Sequence, residues 1–111
     1  MISHVVLFRP KASLSADQRG ELIACLERAA SGIPTIKRTS VGKRVLLGRP
    51  GYETQMAEHY EYSAILEFES EADLRAYLDH PSHAELGQRL FSCADAVLAY
   101  DFISVDPAQL T

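Results

Sequence analysis

Tyr60-Glu61-Tyr62-Ser63-Ala64-Ile65-Leu66-Glu67-Phe68-Glu69 runs directly into Ser70-Glu71-Ala72-Asp73, and the change of period at that join decides the fold. Residues 60–69 alternate, with Tyr62, Ala64, Leu66 and Phe68 on one side and Glu61, Ser63, Ile65, Glu67 and Glu69 on the other. That is the two-residue period of a half-buried strand. At Ser70 helix-start chemistry takes over, and Leu74, Tyr77 and Leu78 form an apolar helical stripe that breaks at His80-Pro81.

The same grammar extends outward in both directions. Upstream, residues 2–8 are β-rich and stop at Pro10, with Ile2, His4, Val6 and Phe8 on one face and Ser3, Val5 and Leu7 on the other. Ser15-Ala16-Asp17-Gln18 is a capping box, and Leu22, Leu26, Ala29 and Ile33 then recur at helical spacing until Gly32 and Pro34 stop the helix. Residues 36–47 read as a long, edge-prone strand with Gly42 at a bulge or close approach, and residues 48–59 as a mobile loop without period. Downstream, Ser82-His83-Ala84-Glu85 offers a further capping box for a short helix carrying Leu86, Leu90 and Phe91. Residues 94–105 form the last strand, in which Ala96, Leu98, Tyr100 and Phe102 oppose Val97, Ala99, Asp101, Ile103 and Val105.

The resulting order, strand-helix-strand-strand-helix-strand, predicts an α+β, ferredoxin-like βαββαβ domain with a four-stranded antiparallel sheet and its helices on one face. The chain, residues 1–111, has room for a single domain with an ordinary core. Val5, Leu7, Val97, Ile103 and Val105 give the opposite sheet face apolar content as well, so a second copy in a two-fold homodimer is the economical cover. The net charge of -4, with Lys and Arg scattered among acids, excludes a phosphate-tracking surface, and no nucleic-acid partner is expected. Cys25 and Cys93 are too few for a disulfide framework and are expected to be inert thiols. The first ten residues, Met1 to Pro10, have neither the basic start nor the apolar length of a signal peptide or membrane span, so a cytoplasmic protein without a membrane partner is expected.

The chain resembles the stress-responsive α/β-barrel (Dabb) family, a branch of the dimeric α+β barrels. The resemblance rests on Ile2-Ser3-His4-Val5-Val6-Leu7-Phe8, Ile33-Pro34-Thr35-Ile36, Val41-Gly42, Leu66-Glu67-Phe68-Glu69-Ser70 and Asp73-Leu74-Arg75-Ala76-Tyr77. It continues through His80-Pro81-Ser82-His83 and Tyr100-Asp101-Phe102, so it spans nearly the whole chain, and the His-Pro-x-His stretch is its most specific part. The resemblance implies a homodimer with facing sheets and, in each subunit, a pocket between sheet and helices. It also implies a chemistry, that of the family's plant polyketide cyclases, which work with pocket histidines and tyrosines. Their first-strand histidine falls on His4, their helix tyrosine on Tyr77 and their catalytic histidine on His83, whereas their third-strand histidine falls on Tyr62 and their first-helix tyrosine on Leu26. The polar set of those cyclases is therefore incomplete here.

Physical chemistry assigns roles to the same residues. Imidazole titrates near neutrality and serves as both general base and general acid on a carbonyl compound, which makes His4 and His83 the catalytic candidates. Tyr62, Tyr77, Leu26 and His80 are the expected substrate contacts, for a small carbonyl or aromatic ligand. The competing reading makes His4 a hydrogen-bonded core residue, has His80 and His83 cap the Pro81 turn, and leaves the tyrosines as core aromatics with a polar tip at a cavity edge. Asp101 either pairs with an arginine or lies at the strand surface. His80 and His83 stand three apart with His59 upstream, yet no acidic or cysteine cluster completes a tetrahedral set, so no metal and no cofactor are expected. Three classes of function follow: an enzyme performing lyase- or cyclase-like proton transfer, a carrier using the pocket without turnover, and a stress-related structural dimer. A cofactor-free oxygenase of the kind found among α+β barrels is a fourth.

Overall fold

In the computed structural model, residues 1–110 are described. They form β1 (Ile2–Pro10), α1 (Ala16–Gly32), β2 (Arg38–Lys43), β3 (Tyr62–Phe68), α2 (Glu71–Asp79), α3 (Pro81–Cys93) and β4 (Ala94–Ile103). One-turn 3-10 helices lie at Glu53–Gln55 and Pro107–Leu110. The strands pair antiparallel throughout in the order β2-β3-β1-β4, which leaves β2 and β4 as edges. This is the ferredoxin-like α+β arrangement predicted from the order of elements.

Local chemistry accounts for the helix starts. The Ser15 hydroxyl accepts from the Gln18 amide at 3.1 Å while the Gln18 side chain accepts from the Ser15 amide at 2.9 Å, a complete capping box. Ser70 caps α2 through the Asp73 amide at 3.2 Å. The third start differs from the sequence expectation: α3 is capped by His80, whose Nδ1 accepts from the Ser82 amide at 3.1 Å, not by a Ser82 to Glu85 box. Pro81 explains the shift, because its fixed φ suits the first helical position and moves the start two residues upstream.

Burial alternates along β1 and β3, so that His4, Val6, Phe8, Ala64, Leu66 and Phe68 face the helices. Leu22, Cys25 and Ala29 of α1, Leu74 and Tyr77 of α2 and Leu86 of α3 complete that core. The molecule is only 17 Å across its thinnest axis, the depth of a single layer of helices on one sheet.

The other sheet face is therefore bare, and its composition corrects one expectation. Val97 lies opposite Phe8 and Ile103 opposite Ile2, so both belong to the helix-side face, while Leu98, Tyr100 and Phe102 share the outer face with Val5, Leu7 and Ile65. Tyr100 and Phe102 are 60% and 57% exposed there. The outer face stays apolar, but through different β4 residues.

The second strand is also shorter than the 36–47 expected. Pairing ends at Lys43 opposite Tyr62, with one further bond from the Arg44 amide to the Glu61 carbonyl. Val45, Leu46 and Leu47 then run on exposed, because β3 supplies no partner beyond that point. The connection that follows is tied at both ends. The Glu53 carboxylate accepts from the Leu47 and Gly48 amides, Arg9 donates to Glu58 and to the His59 carbonyl, and Arg44 meets His59. Gly48 and Gly51 adopt φ of 70° and 74°, which favours glycine at both positions.

Candidate functional site

A cavity of about 600 Å³ opens between the helix-side sheet face and the helices. Its floor comes from β1, β3 and β4 and its roof from α1, α2 and α3. The walls are mostly aliphatic and aromatic, with a few convergent polar side chains, the usual composition of a small-molecule site.

Strand register sets the polar group at one end. His4 is 5% exposed on the helix-side face of β1 and lies directly opposite Asp101 of β4. Its Nδ1 approaches Asp101 Oδ1 at 2.6 Å, a short ring N–H to carboxylate bond. That contact gives the Nδ1 proton a carboxylate partner and leaves Nε2 as the second ring nitrogen. Sequence left Asp101 undecided between an arginine and the surface; the structure gives it to His4.

α2 and the start of α3 supply the rest. The Tyr77 ring packs edge-on against His4 at 5.6 Å, tilted against Phe68 at 5.3 Å and edge-on against His83 at 4.7 Å. Burial, with a smaller contribution from the Asp101 charge, pushes the Tyr77 phenol up to about 12, so it is a firm hydrogen-bond donor at neutral pH. His83 Nδ1–H donates to the Leu78 carbonyl at 3.1 Å, which directs the unshared pair to Nε2. Burial lowers the His83 pKa below its ordinary 6.5, and the nearby His4 adds to the effect while the Leu78 contact opposes it. His83 is thus a neutral imidazole at pH 7, the form a general base needs.

Tyr62 lies farther along the cavity, beside Phe8, with which it stacks at 5.5 Å. Its phenol is raised first by burial and then by Glu61, with Arg19 pulling the other way. Leu26 also lines the wall. His80 does not belong to the lining, contrary to the expectation that it contacts substrate: its ring is turned to the Ser82 amide as the α3 cap. The cavity therefore gathers His4, Tyr62, Tyr77, His83 and Leu26, and adds Asp101 and Arg19, which sequence reasoning did not place there. The signal for Asp101 was its parity on the last strand, and it becomes usable only with the β1–β4 register.

Cys25, on α1, is buried where α1 packs on α3, with Arg28 reaching its sulfur at 3.0 Å and pairing with Glu85 at 2.7 Å. Burial and the Glu85 carboxylate raise its thiol pKa, so it is a poor nucleophile. Among the described residues no group of three His, Cys, Asp or Glu side chains is placed to hold a metal ion, and no helix is long and apolar enough to cross a membrane.

A family model for the stress responsive A/B barrel domain matches residues 2–104. A dimeric ferredoxin-like protein of unknown function from Thermobifida fusca is 25% identical, with 93% of this chain and 90% of that chain covered and a TM-score of 0.72. A second dimeric ferredoxin-like protein of unknown function, from Jannaschia sp. CCS1, is 26% identical over 93% of this chain and 98% of that chain, with a TM-score of 0.71. The hydroxynitrile lyase from Passiflora edulis superimposes with a TM-score of 0.79 over 95% of this chain and 94% of that chain, at 19% identity, a likeness of fold. No curated protein sequence matches the chain.

Proposed function

Because the chain belongs to the stress responsive A/B barrel domain family, we propose that it is a homodimer, a single domain over residues 1–111, whose cavity binds a small carbonyl or phenolic compound. On that compound His83 and His4 move a proton. The observation that carries this reading is His83 itself: Nδ1 is committed to the Leu78 carbonyl, the ring packs on Tyr77, and the ring lines a mostly apolar cavity.

The chemistry follows from those groups. His83 Nε2 takes a proton from the carbon next to the ligand's carbonyl, and the electron pair of that C–H bond shifts toward the carbonyl oxygen. The Tyr77 phenol, kept protonated by burial, donates a hydrogen bond to the enolate oxygen that forms. The imidazolium then returns the proton to carbon or to oxygen. His4, held by Asp101, is the second acid and base at the same end of the cavity. No bound cofactor enters this scheme. The cytoplasm is the proposed site of action.

The dimer covers the outer sheet face, where Val5, Leu7, Ile65, Leu98, Tyr100 and Phe102 would otherwise meet water. The dimeric state described for the Thermobifida and Jannaschia proteins supports this arrangement.

A thermal-shift screen of small phenolic, β-keto and aromatic acid compounds tests the function. A ligand at a hundredfold over its dissociation constant stabilises the native state by about 2.7 kcal/mol. The expected result is a hit in the wild type that fades in His83→Ala and His4→Ala and that the wild type turns over. A hit bound without turnover makes the protein a carrier, a reading that the apolar walls favour over a purely structural role. No shift with any compound contradicts both.

A further inference from the structure

The cavity lining holds one acidic side chain, Asp101, and one arginine, Arg19, and they lie at different ends. One end holds Asp101 beside His4, and the other holds Arg19 beside Tyr62. The separation follows from β1, which places His4 opposite Asp101 and Phe8 opposite Tyr62. Four strand residues at about 3.3 Å each put these ends about 13 Å apart. Between them the wall is apolar, with Val6, Ala64 and Leu66 below and Leu26 and Leu86 above.

Arg19 is half-buried in the first turns of α1 and lines the cavity, yet it enters none of the ion pairs with carboxylates among the described residues. It lines the same cavity as Tyr62, whose hydroxyl is turned to the Glu61 carboxylate, a residue outside the lining. A guanidinium set against apolar walls is stabilised by a planar anion that it can grip with two parallel N–H bonds. At the opposite end the Asp101 carboxylate repels such an anion, so the charge asymmetry also fixes the direction in which a ligand lies.

We propose that the cavity's ligand is an amphipathic carboxylate, its carboxylate held by Arg19, its apolar body along the Leu26 and Leu66 walls, and its carbonyl or hydroxyl at His83 and Tyr77. This deepens, and rests on, the reading of the cavity as a small-carbonyl site. It makes Arg19 the residue that selects acids over neutral compounds of the same length.

Calorimetric titration with decanoate and 1-decanol, an acid and an alcohol of equal chain length, separates the two claims. The wild type is expected to bind decanoate about tenfold or more tightly than decanol, the strength of a charge-assisted pair. Arg19→Gln removes that preference and leaves decanol affinity unchanged, while Arg19→Lys keeps part of it as a point charge. Equal affinity for both probes in the wild type, or equal weakening of both in Arg19→Gln, overturns the carboxylate end and leaves the cavity reading standing. Failure of decanoate to bind the wild type overturns the carboxylate end, while the thermal-shift screen decides the cavity reading separately.

Discussion

Raising the pH through the alkaline range titrates Tyr77 in the unfolded chain before it titrates in the folded protein, and the gap has a size. Burial beneath the helices moves the phenol from its ordinary value of 10 to about 12 in the folded state. Below both values each state carries the neutral phenol, and the protein keeps its full stability. As the pH rises past the unfolded value the unfolded chain alone loses the proton, so stability falls, and the loss is complete once the folded phenol ionises as well. At about 1.4 kcal/mol for each pH unit, the loss attributable to Tyr77 is about 2–3 kcal/mol. Urea denaturation at a series of values between about pH 9 and pH 12, on wild type and Tyr77→Phe, isolates it, because the other tyrosines and the lysines cancel in the difference. The stability advantage of the wild type over Tyr77→Phe is expected to shrink by that amount across the range. Parallel curves would refute the placement of Tyr77 as a buried, neutral donor, and with it the oxyanion contact in the proposed mechanism.

Three further outcomes follow from the structure. Phe102→Asp puts a charge on the bare sheet face and is expected to halve the mass measured by analytical ultracentrifugation, whereas an unchanged mass would move the dimer contact elsewhere. His80→Ala removes the α3 cap and is expected to cost about 1 kcal/mol in chemical denaturation while leaving ligand-dependent stabilisation intact; loss of that stabilisation would bring His80 back into the site. Leu66→Ala opens a hole in the floor of the core at a residue 2% exposed, with an expected loss of about 2–5 kcal/mol, and a loss below about 1 kcal/mol would show that the helices collapse onto the gap.

The architecture was legible because period and punctuation agree along most of the chain. The alternation of Tyr62 to Phe68, the Ser15 and Ser70 caps and the order of elements carry the fold without any tertiary information. What sequence could not supply is register. Parity placed Val97 and Leu98 on opposite faces of β4, but which of the two meets the helices depends on the pairing of Phe8 with Val97. The same missing register hid the His4–Asp101 contact, which joins residues 97 positions apart. The third helix start was misplaced for a different reason: serine is the expected cap, and a histidine ring nitrogen held by a following proline does the same work. Arg19 gives no signal in the sequence, since nothing in the chain alone shows that an edge of α1 overhangs a cavity.

Hydrogen exchange measures proton transfer by His83 directly. The carbonyl compound that stabilises the protein most in the thermal screen would be incubated in deuterated buffer, and loss of the proton signal next to its carbonyl followed by NMR with wild type, His83→Ala and buffer alone. Exchange well above buffer is expected with the wild type, falling to the buffer rate with His83→Ala at compound concentrations raised to offset its weaker binding. Exchange at the buffer rate with the wild type, or equal exchange with both proteins, would contradict proton transfer by His83.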